Sequence, residues 1–432
     1  MFLGMRGTGD WVTNQRPENW RQQILKLYPN GMAPLTAILS MMGSEMVDDP
    51  KFHWWTQAQT SVGGTVNGVY TLPDKSTAYV NGGVVGDMVY VEVSTTLANR
   101  VRAGHQILLR DASDYRVDVT GKVTNVTRGT LLSILAVKLL EADDNSADND
   151  LSDCDTFKIV GNINSEGGEM PDAIALNPVE VSNYTQIFRT PLSITRTARK
   201  TRLRTGDSYQ KAKAEALEMH SWEMELAFLW GIMTQNIGDN GKPERTTQGV
   251  INFIRQYAAA NCDDYTLNAT YAGSTWLAGG ETWLKALLEQ IFRYGAEDKL
   301  VLCGSGFLLG IDALAQQSGQ INLQPGQKTY GMQIREWLTP FGTIYMKTHP
   351  LFSYDATTRH MGVVLEPKEL TYRYIDDTSF YGENSSKTRP TGSGNRRVDG
   401  TNEEWLTECG LEFGLPQKCG VLNGVGQDNN LA

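Results

Sequence analysis

A glycine-rich segment is the first place where this chain of 432 residues could do chemistry. Gly304, Gly306 and Gly310 lie between a strand-like run and a helix-like run, where glycines let a nucleotide phosphate approach the start of a helix. The spacing is G-x-G-x-x-x-G, however, and residues 320–327 offer no second strand ending in the acid that would hold a ribose. We predict a strand-to-helix turn and keep a nucleotide-binding α/β enzyme as a distant alternative.

An acidic segment, residues 141–155, is the second candidate. Its oxygen-bearing side chains follow the ligand positions of a calcium loop at Asp144, Ser146, Asp148, Asp150, Ser152 and Asp155. Asn149 stands where such a loop has its central glycine, and the flanking residues have the pattern of strands. We predict a solvated surface loop, since runs of charge commonly mark exposed segments, and leave calcium binding as the open alternative.

Histidines and cysteines show no spacing that is typical of a metal site. The five histidines include no H-E-x-x-H pattern, and the five cysteines include no C-x-x-C pair. An odd number of scattered cysteines indicates reduced thiols rather than a disulfide framework. Neither a G-x-S-x-G elbow nor a Walker A loop is present. We therefore predict no cofactor, no metal site and no catalytic residues, in a protein that is not an enzyme.

A cationic run precedes the longest predicted helix, and its members are Arg196, Arg199, Lys200, Arg202 and Arg204. The whole chain carries a formal net charge of -10, which argues against a protein whose main task is to grip nucleic acid. The run has two interpretations: a patch that faces DNA or an acidic partner, or a patch that pairs with carboxylates of neighbouring subunits. We favour pairing between subunits.

The first 60 residues predict an arm with two short helices. Pro17 suits a first helical turn, and Trp20, Ile24, Leu27 and Tyr28 fall on one stripe; a second stripe begins at Leu35. Each stripe is too small to form a core alone. Both helices must therefore dock on the body of the same subunit or on a neighbour.

Strands are predicted from about Ser61 to Asn162. Val89, Val91 and Val93 show period-two spacing, and glycines interrupt the runs. The apolar stretch Leu131–Leu140 fits either a strand or a buried helix. Together these patterns predict a small β domain.

The longest predicted helix runs from about Asp207 to Trp230. Asp207 and Gln210 form a capping-box pattern, no proline interrupts the run, and the rod would be roughly 35 Å long. An α/β portion should follow, with a helix that ends at Gly295. The remaining predicted strands are Lys299–Cys303, Gly342–Thr348, Met361–Glu366 and Leu370–Ile375, followed by the apolar segment Trp405–Phe413.

Composition indicates a folded protein of two or more packed units. Hydrophobic residues make up 40% and charged residues 20%, and 432 residues exceed what one core usually serves. No stretch approaches about 18 apolar residues, and the start lacks the features of a signal peptide, so we expect a protein that matures in a cytoplasm without contacting a membrane.

The order of these elements resembles that of the tailed-phage major capsid proteins with the HK-97-like fold. The stretches that carry the resemblance are Arg16–Trp20 with Tyr28–Leu35, Gly161–Pro171, Asn183–Phe188, Glu215–Gly231 and Leu406–Lys418. Together they cover nearly the whole chain. Their order is more specific than any single motif.

The resemblance implies an α+β, HK-97-like fold with a small β domain inserted in the extended loop. The expected regions are an N-terminal arm (1–60), the extended loop (61–180), a peripheral domain with the spine helix (181–248), an axial domain (249–360) and closing strands of the peripheral domain (361–432). No position matches the lysine and asparagine pair that cross-links some members of the family.

The function that the resemblance implies is a major capsid protein. Copies of the chain would assemble as hexamers and pentamers into an icosahedral head around double-stranded DNA, in loose contact with the genome, after synthesis in the bacterial cytoplasm. A portal, a separate scaffolding protein and, as an open question, a decoration protein are the expected partners. The assembly contacts would involve Trp20, Leu35 and the cationic run. An encapsulin-like nanocompartment shell is the main alternative function.

Overall fold

The computed structural model describes residues 35, 43–57, 63–112, 118–143, 150–167, 170–171, 173–174, 178–201, 208–318, 328–329, 332–333, 335–382 and 400–431. The chain divides into two compact units. Gln57–Val179 forms one, the barrel unit; Met1–Thr56 and Glu180–Ala432 form the other, the body. The first strands among the described residues of the body are the short β1 (Ser44–Met46) and β2 (Lys51–Thr56).

The barrel unit is a closed six-stranded barrel in which the strands follow the order β3-β4-β7-β6-β5-β8. Every neighbouring pair that the register describes is antiparallel, so short connections suffice between strands. The strands are β3 (Gly63–Tyr70), β4 (Met88–Ser94), β5 (His105–Arg110), β6 (Asp118–Thr127), β7 (Leu132–Leu139) and β8 (Thr156–Asn162), with a helical turn α1 (Thr95–Ala98). The predicted small β domain is therefore a barrel.

Alternating apolar side chains fill this barrel. Val89, Val91 and Val93 point inward on β4 and pack with Leu135, Val137 and Leu139 of β7. The burial of β7 alternates along its length, which settles the choice that the sequence left open for Leu131–Leu140: the segment is a strand.

A four-stranded sheet in the order β1-β20-β21-β10 supports the long helix of the body. Its strands are β10 (Gln186–Thr195), β20 (Leu370–Gly382) and β21 (Gly400–Phe413), and the helix is α3 (Ser208–Trp230), the spine helix. β10 and β21 are antiparallel from Gln186 opposite Cys409 to Thr195 opposite Gly400. The spine helix was predicted within one residue at its start, since it is long and lacks proline.

The two long strands of this sheet correct the predicted boundaries. β20 was predicted to end at Ile375, but it continues to Gly382 through two irregularities of register beside Asp376, which break the apolar alternation. β21 was predicted to begin at Trp405. It begins at Gly400, because residues 400–404 pair with the second half of β10, from Pro191 opposite Glu404 to Thr195 opposite Gly400.

A mixed six-stranded sheet forms the other layer of the body, in the order β13-β22-β19-β14-β18-β17. Trp283, Leu287 and Ile291 from one flanking helix and Phe307 and Ile311 from the next belong to the core that includes this sheet. The strands are β13 (Cys262–Asp264), β14 (Asp298–Cys303), β17 (Arg335–Thr339), β18 (Gly342–Thr348), β19 (Gly362–Leu365) and β22 (Gly420–Asn423); the helices are α5 (Trp276–Phe292) and α6 (Ser305–Ser318).

The boundary expected at residues 360 and 361 does not separate two sheets. β19 and β22 follow this boundary, yet β19 pairs with β14 and β22 pairs with β19 inside the six-stranded sheet. The cause is that Val363, Val364 and Leu365 are fully buried and need neighbours on both sides.

The remaining elements are short. They are the strands β9 (Val179–Tyr184), β11 (Thr234–Ile237), β12 (Pro243–Thr246), β15 (Lys328–Thr329) and β16 (Met332–Gln333), and the helices α2 (Arg196–Lys200), α4 (Val250–Tyr257) and α7 (Pro350–Tyr354). The 3-10 turns are Leu151–Asp153, Ala259–Asn261, Tyr265–Leu267, Ala269–Tyr271, Pro367–Glu369 and Pro416–Lys418. The predicted mixture of helices and strands, α+β, is confirmed, and an inserted β domain followed by a long helix agrees with the HK-97-like order of elements.

Candidate assembly surfaces around the spine helix

The spine helix lies over the inner face of the four-stranded sheet. Phe228 meets Phe188 of β10 and Tyr372 of β20 in edge-on ring contacts, which fix the helix to two strands at once. The helix ends where Gly231 follows Trp230. A Cβ atom at Gly231 would lie 2.3 Å from the carbonyl oxygen of Thr247, so only glycine allows the chain to turn away here.

A buried row of hydroxyl groups joins the spine helix to three strands. The Nδ1 atom of His220 lies 2.9 Å from the Thr190 hydroxyl, and its Nε2 atom lies 2.8 Å from the Thr407 hydroxyl. Thr407 in turn donates to Thr378 at 2.9 Å. Burial lowers the pKa of His220 to about 4, so the ring is neutral at neutral pH. The histidine is a structural bridge rather than a ligand.

A second buried pair lies further along the helix. Glu225 and His349 are completely buried, and Nε2 of His349 lies 2.8 Å from Oε1 of Glu225. The same carboxyl oxygen accepts the backbone N–H of Leu35 at 2.8 Å. The His349 ring stacks on Phe352, with ring centroids 4.7 Å apart. One carboxylate thus connects the spine helix to His349, the residue that precedes α7, and to the backbone of Leu35.

Leu35 is therefore part of the subunit core. Its side chain is completely buried among residues of the same chain, so it has no surface to offer to a neighbouring subunit, and its expected role as an assembly contact needs correcting. The physical reason is the carboxylate of Glu225, which satisfies the Leu35 amide inside the body. Trp20, the other arm residue proposed from the sequence, lies outside the described residues.

The first half of the cationic run forms α2, and all five residues Arg196–Lys200 are exposed. The hydroxyl of Thr195 caps the helix by accepting from the Ala198 N–H at 3.3 Å. The guanidinium of Arg199 lies 4.9 Å from the ring centre of Tyr209, at the start of the spine helix. Arg202 and Arg204 lie outside the described residues. The structure thus places a solvent-facing cationic helix beside the spine helix.

The glycine segment forms a strand-to-helix turn between β14 and α6, and protein atoms occupy the space that a phosphate would need. A Cβ atom at Gly304 would lie 2.2 Å from the Arg359 carbonyl oxygen, and one at Gly306 would lie 2.6 Å from the His360 ring. The N–H groups of Ser305 and Phe307 donate to Ser353 and Arg359. These two N–H groups already have protein partners, and protein atoms fill the approach to Gly304 and Gly306, so the turn has no open cradle for a nucleotide phosphate.

Part of the acidic segment is described, and it is involved in barrel structure. The Tyr79 hydroxyl donates to Asp143 Oδ2 at 2.6 Å, and Asp150 caps the turn Leu151–Asp153. Burial and the hydrogen bond to Asp143 raise the pKa of Tyr79. Residues 144–149 lie outside the described part of the chain. Within that part, no group of three acidic, histidine or cysteine side chains could hold a metal ion.

None of the five cysteines forms a disulfide bond within the chain. Burial raises the pKa of Cys154 and of Cys419 to about 12, so neither is a thiolate at neutral pH. These two thiols are packing residues and not nucleophiles.

Exposed apolar side chains occur in both units and mark candidate contacts with other copies of the chain. In the barrel unit the largest exposures are those of Val80, Val85, Leu131, Met170 and Val179. In the body they include Trp55, Ile232, Ile237, Leu338 and Tyr354. Among the helices of the described residues, none is long and apolar enough to cross a membrane.

The buried polar pairs are what sequence reasoning missed. Glu225 follows the apolar Met224 on the inner face of a helix, and that position was a usable signal, because a carboxylate there needs a buried partner. Nothing in the sequence identifies His349, 124 positions away, as that partner. The hydroxyl groups of Thr190 and Thr407 likewise carry no signal for His220.

Comparison with known proteins adds the family. A family model described as SU10 major capsid protein matches residues 5–426. The major capsid protein of Pseudomonas phage PaMx41 is 23% identical over 424 residues, which cover 93% of this chain and 91% of that protein.

Two solved structures align less closely. A structure from Mycobacterium phage Adephagia covers 97% of this chain and 98% of its own at 7% identity, with a TM-score of 0.40. The holo-SrpI encapsulin complex from Synechococcus elongatus PCC 7942 covers 58% of this chain and 76% of its own at 12% identity, with a TM-score of 0.36.

The family match decides between the two kinds of shell that the sequence left open, because it spans almost the whole chain and the curated relative is a phage protein. The spine helix is held by buried hydrogen bonds, and exposed apolar side chains are available for contacts with other copies, as expected of a subunit that binds its neighbours. The chain belongs to the SU10 major capsid protein family and is the major capsid protein of a phage, a virion component whose copies assemble into a shell.

Proposed function

We propose that the chain forms the icosahedral head of a tailed phage, as hexamers and pentamers that enclose double-stranded DNA. The family match over residues 5–426 is the observation that carries the proposal. The net charge of -10 supports a loose contact with the genome, because an acidic wall attracts few phosphates and lets DNA move during packaging and ejection. Assembly takes place in the cytoplasm of the bacterial host.

We propose for the subunit the division into arm, extended loop, peripheral domain and axial domain that the sequence predicts, with one change. The barrel unit, Gln57–Val179, supplies the inserted domain of the extended loop, and the spine helix belongs to the peripheral domain. The axial domain is built on residues 249–360 and also includes β19 and β22, which pair within its sheet. The arm, residues 1–60, precedes both.

The cationic run of 196–204 pairs with carboxylates of a neighbouring subunit. The exposure of Arg196–Lys200 on a chain with excess negative charge supports this proposal, because an assembly of identical acidic subunits gains from placing its few exposed cationic clusters against acids. Contact with packaged DNA is the alternative role of the same residues.

A separate scaffolding protein directs the curvature of the shell, a portal occupies one vertex, and a decoration protein is a further candidate partner. The observation that supports a separate scaffold is that residues 1–60 carry no long run of charged residues. The chain expressed alone should give irregular or open assemblies under electron microscopy. Closed shells of correct size from this chain alone would contradict the scaffold, and monomers that turn over a substrate would contradict the capsid function.

Charge reversal tests the cationic helix. We expect the variant with Arg196→Glu and Lys200→Glu to need about tenfold more protein to assemble, a change equivalent to about 1.4 kcal/mol. The matched control reverses two exposed lysines of the barrel unit, Lys138→Glu and Lys158→Glu, with the same change of charge. Normal assembly of the first variant with reduced DNA content would instead support the contact with DNA.

A further inference from the structure

The spine helix presents an apolar stripe to solvent on the side away from the sheet. Met219 is 54% exposed and Leu226 is 44% exposed, and Trp222 between them is half-buried. Spacings of three and four residues place these side chains in one row along the helix. A helix whose other face is completely packed therefore has a second apolar face without a cover among the described residues.

Negative charge flanks this stripe. Glu215, Glu218 and Glu223 lie beside it on the same helix. Lys211 is the one exposed cation among the described helix residues 208–230, and its ammonium lies 3.8 Å from Glu215. The stripe and the glutamates beside it therefore favour a partner that is both apolar and positively charged.

A residue of the N-terminal part of the chain, Leu35, is hydrogen-bonded to this helix. The N–H of Leu35 donates to Glu225, the residue next to Leu226, so the segment before Leu35 starts beside the C-terminal third of the spine helix. The six residues 29–34 can span about 20 Å when extended. Any point on the stripe is within their reach.

The preceding segment has the chemistry that the stripe lacks. Residues 17–28 predict an amphipathic helix whose apolar side consists of Trp20, Ile24, Leu27 and Tyr28. Arg21 and Lys26 outnumber the single acid Glu18. Twelve helical residues are about 18 Å long, close to the roughly 17 Å between positions 215 and 226 of the spine helix.

We propose that residues 17–28 dock on the exposed stripe Met219, Trp222 and Leu226 of their own subunit, with Arg21, which flanks the apolar side of the predicted helix, facing the glutamates beside the stripe. The anchor of Leu35 on the same helix favours the same subunit over a neighbour, since the short connection keeps the local concentration of the segment high. The docking is a property of the folded subunit and does not depend on hexamers or pentamers. Trp20 then serves as a contact within the subunit.

Disulfide trapping in the full-length chain tests the docking. The pair Ile24→Cys and Leu226→Cys should form an intrachain disulfide under mild oxidation, seen as a mobility shift on a non-reducing gel. The control pair Ile24→Cys and Ile187→Cys, which uses an exposed site on the outer face of β10, should stay reduced. Interchain disulfides from the first pair would move the docking to a neighbour and overturn the proposal. Equal trapping of both pairs, or of neither, would also overturn it.

Oxidation of Met219 by peroxide gives a second measurement that needs no new cysteine. In the variant Arg21→Glu, Met219 should be oxidised several-fold faster than in the parent chain, while the oxidation rate of Met46, which is exposed on β1, should be unchanged. Adding Glu218→Lys and Glu223→Lys should restore the protection. Equal rates in the parent and the first variant would contradict the docking. Electron microscopy of the same samples reports shell formation separately, so failure of the docking and failure of the capsid function are distinguishable.

Discussion

The barrel unit and the body differ in how far apart in the sequence their contacting residues lie. The barrel takes its six strands from one continuous stretch, so its contacts are made within Gln57–Val179. The body joins distant segments: Leu35 meets Glu225 across 190 positions, and His220 meets Thr407 across 187. The barrel can therefore form from local chain, whereas the body needs nearly all of its sequence at once.

The two cores also differ in chemistry. The core of the barrel unit consists mainly of valine, leucine and isoleucine side chains, together with Phe157 and with Tyr79, whose hydroxyl donates to the buried Asp143. The body buries Glu225, His349, His220 and Lys299, each of which requires a polar partner. Apolar cores lose stability gradually when trimmed, but a buried polar pair that loses one member leaves the other without compensation. The body should thus be the more sensitive unit.

Loss of the Glu225 carboxylate should have the largest effect. In Glu225→Ala the His349 ring and the Leu35 amide both stay buried without their acceptor, so we expect the free energy of unfolding to fall by about 3 to 5 kcal/mol. Urea unfolding of the unassembled subunit measures this change. The control Glu215→Ala removes an exposed carboxylate of the same helix and should cost about 0.5 kcal/mol or less. A similarly small loss of stability in both variants would contradict the expectation that buried polar pairs make the body the more sensitive unit.

The pH dependence of the body should be the next largest effect. Burial holds the pKa of His220 at about 4 in the folded chain, against 6.5 for an ordinary histidine. The unfolded chain therefore binds a proton between these values that the folded chain cannot bind. The free energy of unfolding should stay constant above pH 6.5 for this group and fall by about 3 kcal/mol on acidification to pH 4.

The variant His220→Gln isolates this contribution. It should be less stable at pH 7 but should lose less stability than the parent between pH 7 and pH 4, as followed by urea unfolding at each pH. Parallel curves for the two proteins would show that the His220 bridge is not the source of the pH dependence.

Conservative trimming of each core should have the smallest effect and should show whether the units unfold separately. Ile107→Val in the barrel and Ile254→Val in the body each remove one methylene from a fully buried side chain, at a cost of about 1 kcal/mol. In calorimetry each variant should shift one transition and leave the other unchanged. A common shift of a single transition in both variants would mean that the units unfold together.

Local patterns predicted local structure well. The spine helix, β18 and the strand-to-helix turn at Gly304 follow from periodicity and from glycine or proline placement within a few positions. The resemblance to phage capsid proteins gave the α+β class and the function, which the family match supports. These predictions depend on contacts between neighbours in sequence or on the order of elements.

Contacts between distant segments could not be predicted. Asn183 donates to the Leu411 carbonyl at 2.7 Å across 228 positions, and no pattern near either residue indicates the other. The same limit explains why the pairing of β19 with β14 and of β22 with β19 was not predicted, and why the burial of Leu35 within its own subunit was not predicted. A short apolar stripe looks the same in sequence whether it packs on its own subunit or on a neighbour.

The place of β21 in the four-stranded sheet also sets the timing of folding during synthesis. This strand pairs with β10 on one side and β20 on the other, so the sheet under the spine helix stays incomplete until residues 400–413 have been made. Roughly 220 residues separate them from the end of the barrel unit, or about 10 to 40 seconds of translation at typical rates. A growing chain can thus carry a folded barrel while its body is still open. Only subunits whose synthesis has passed Phe413 can therefore fold completely and join the shell.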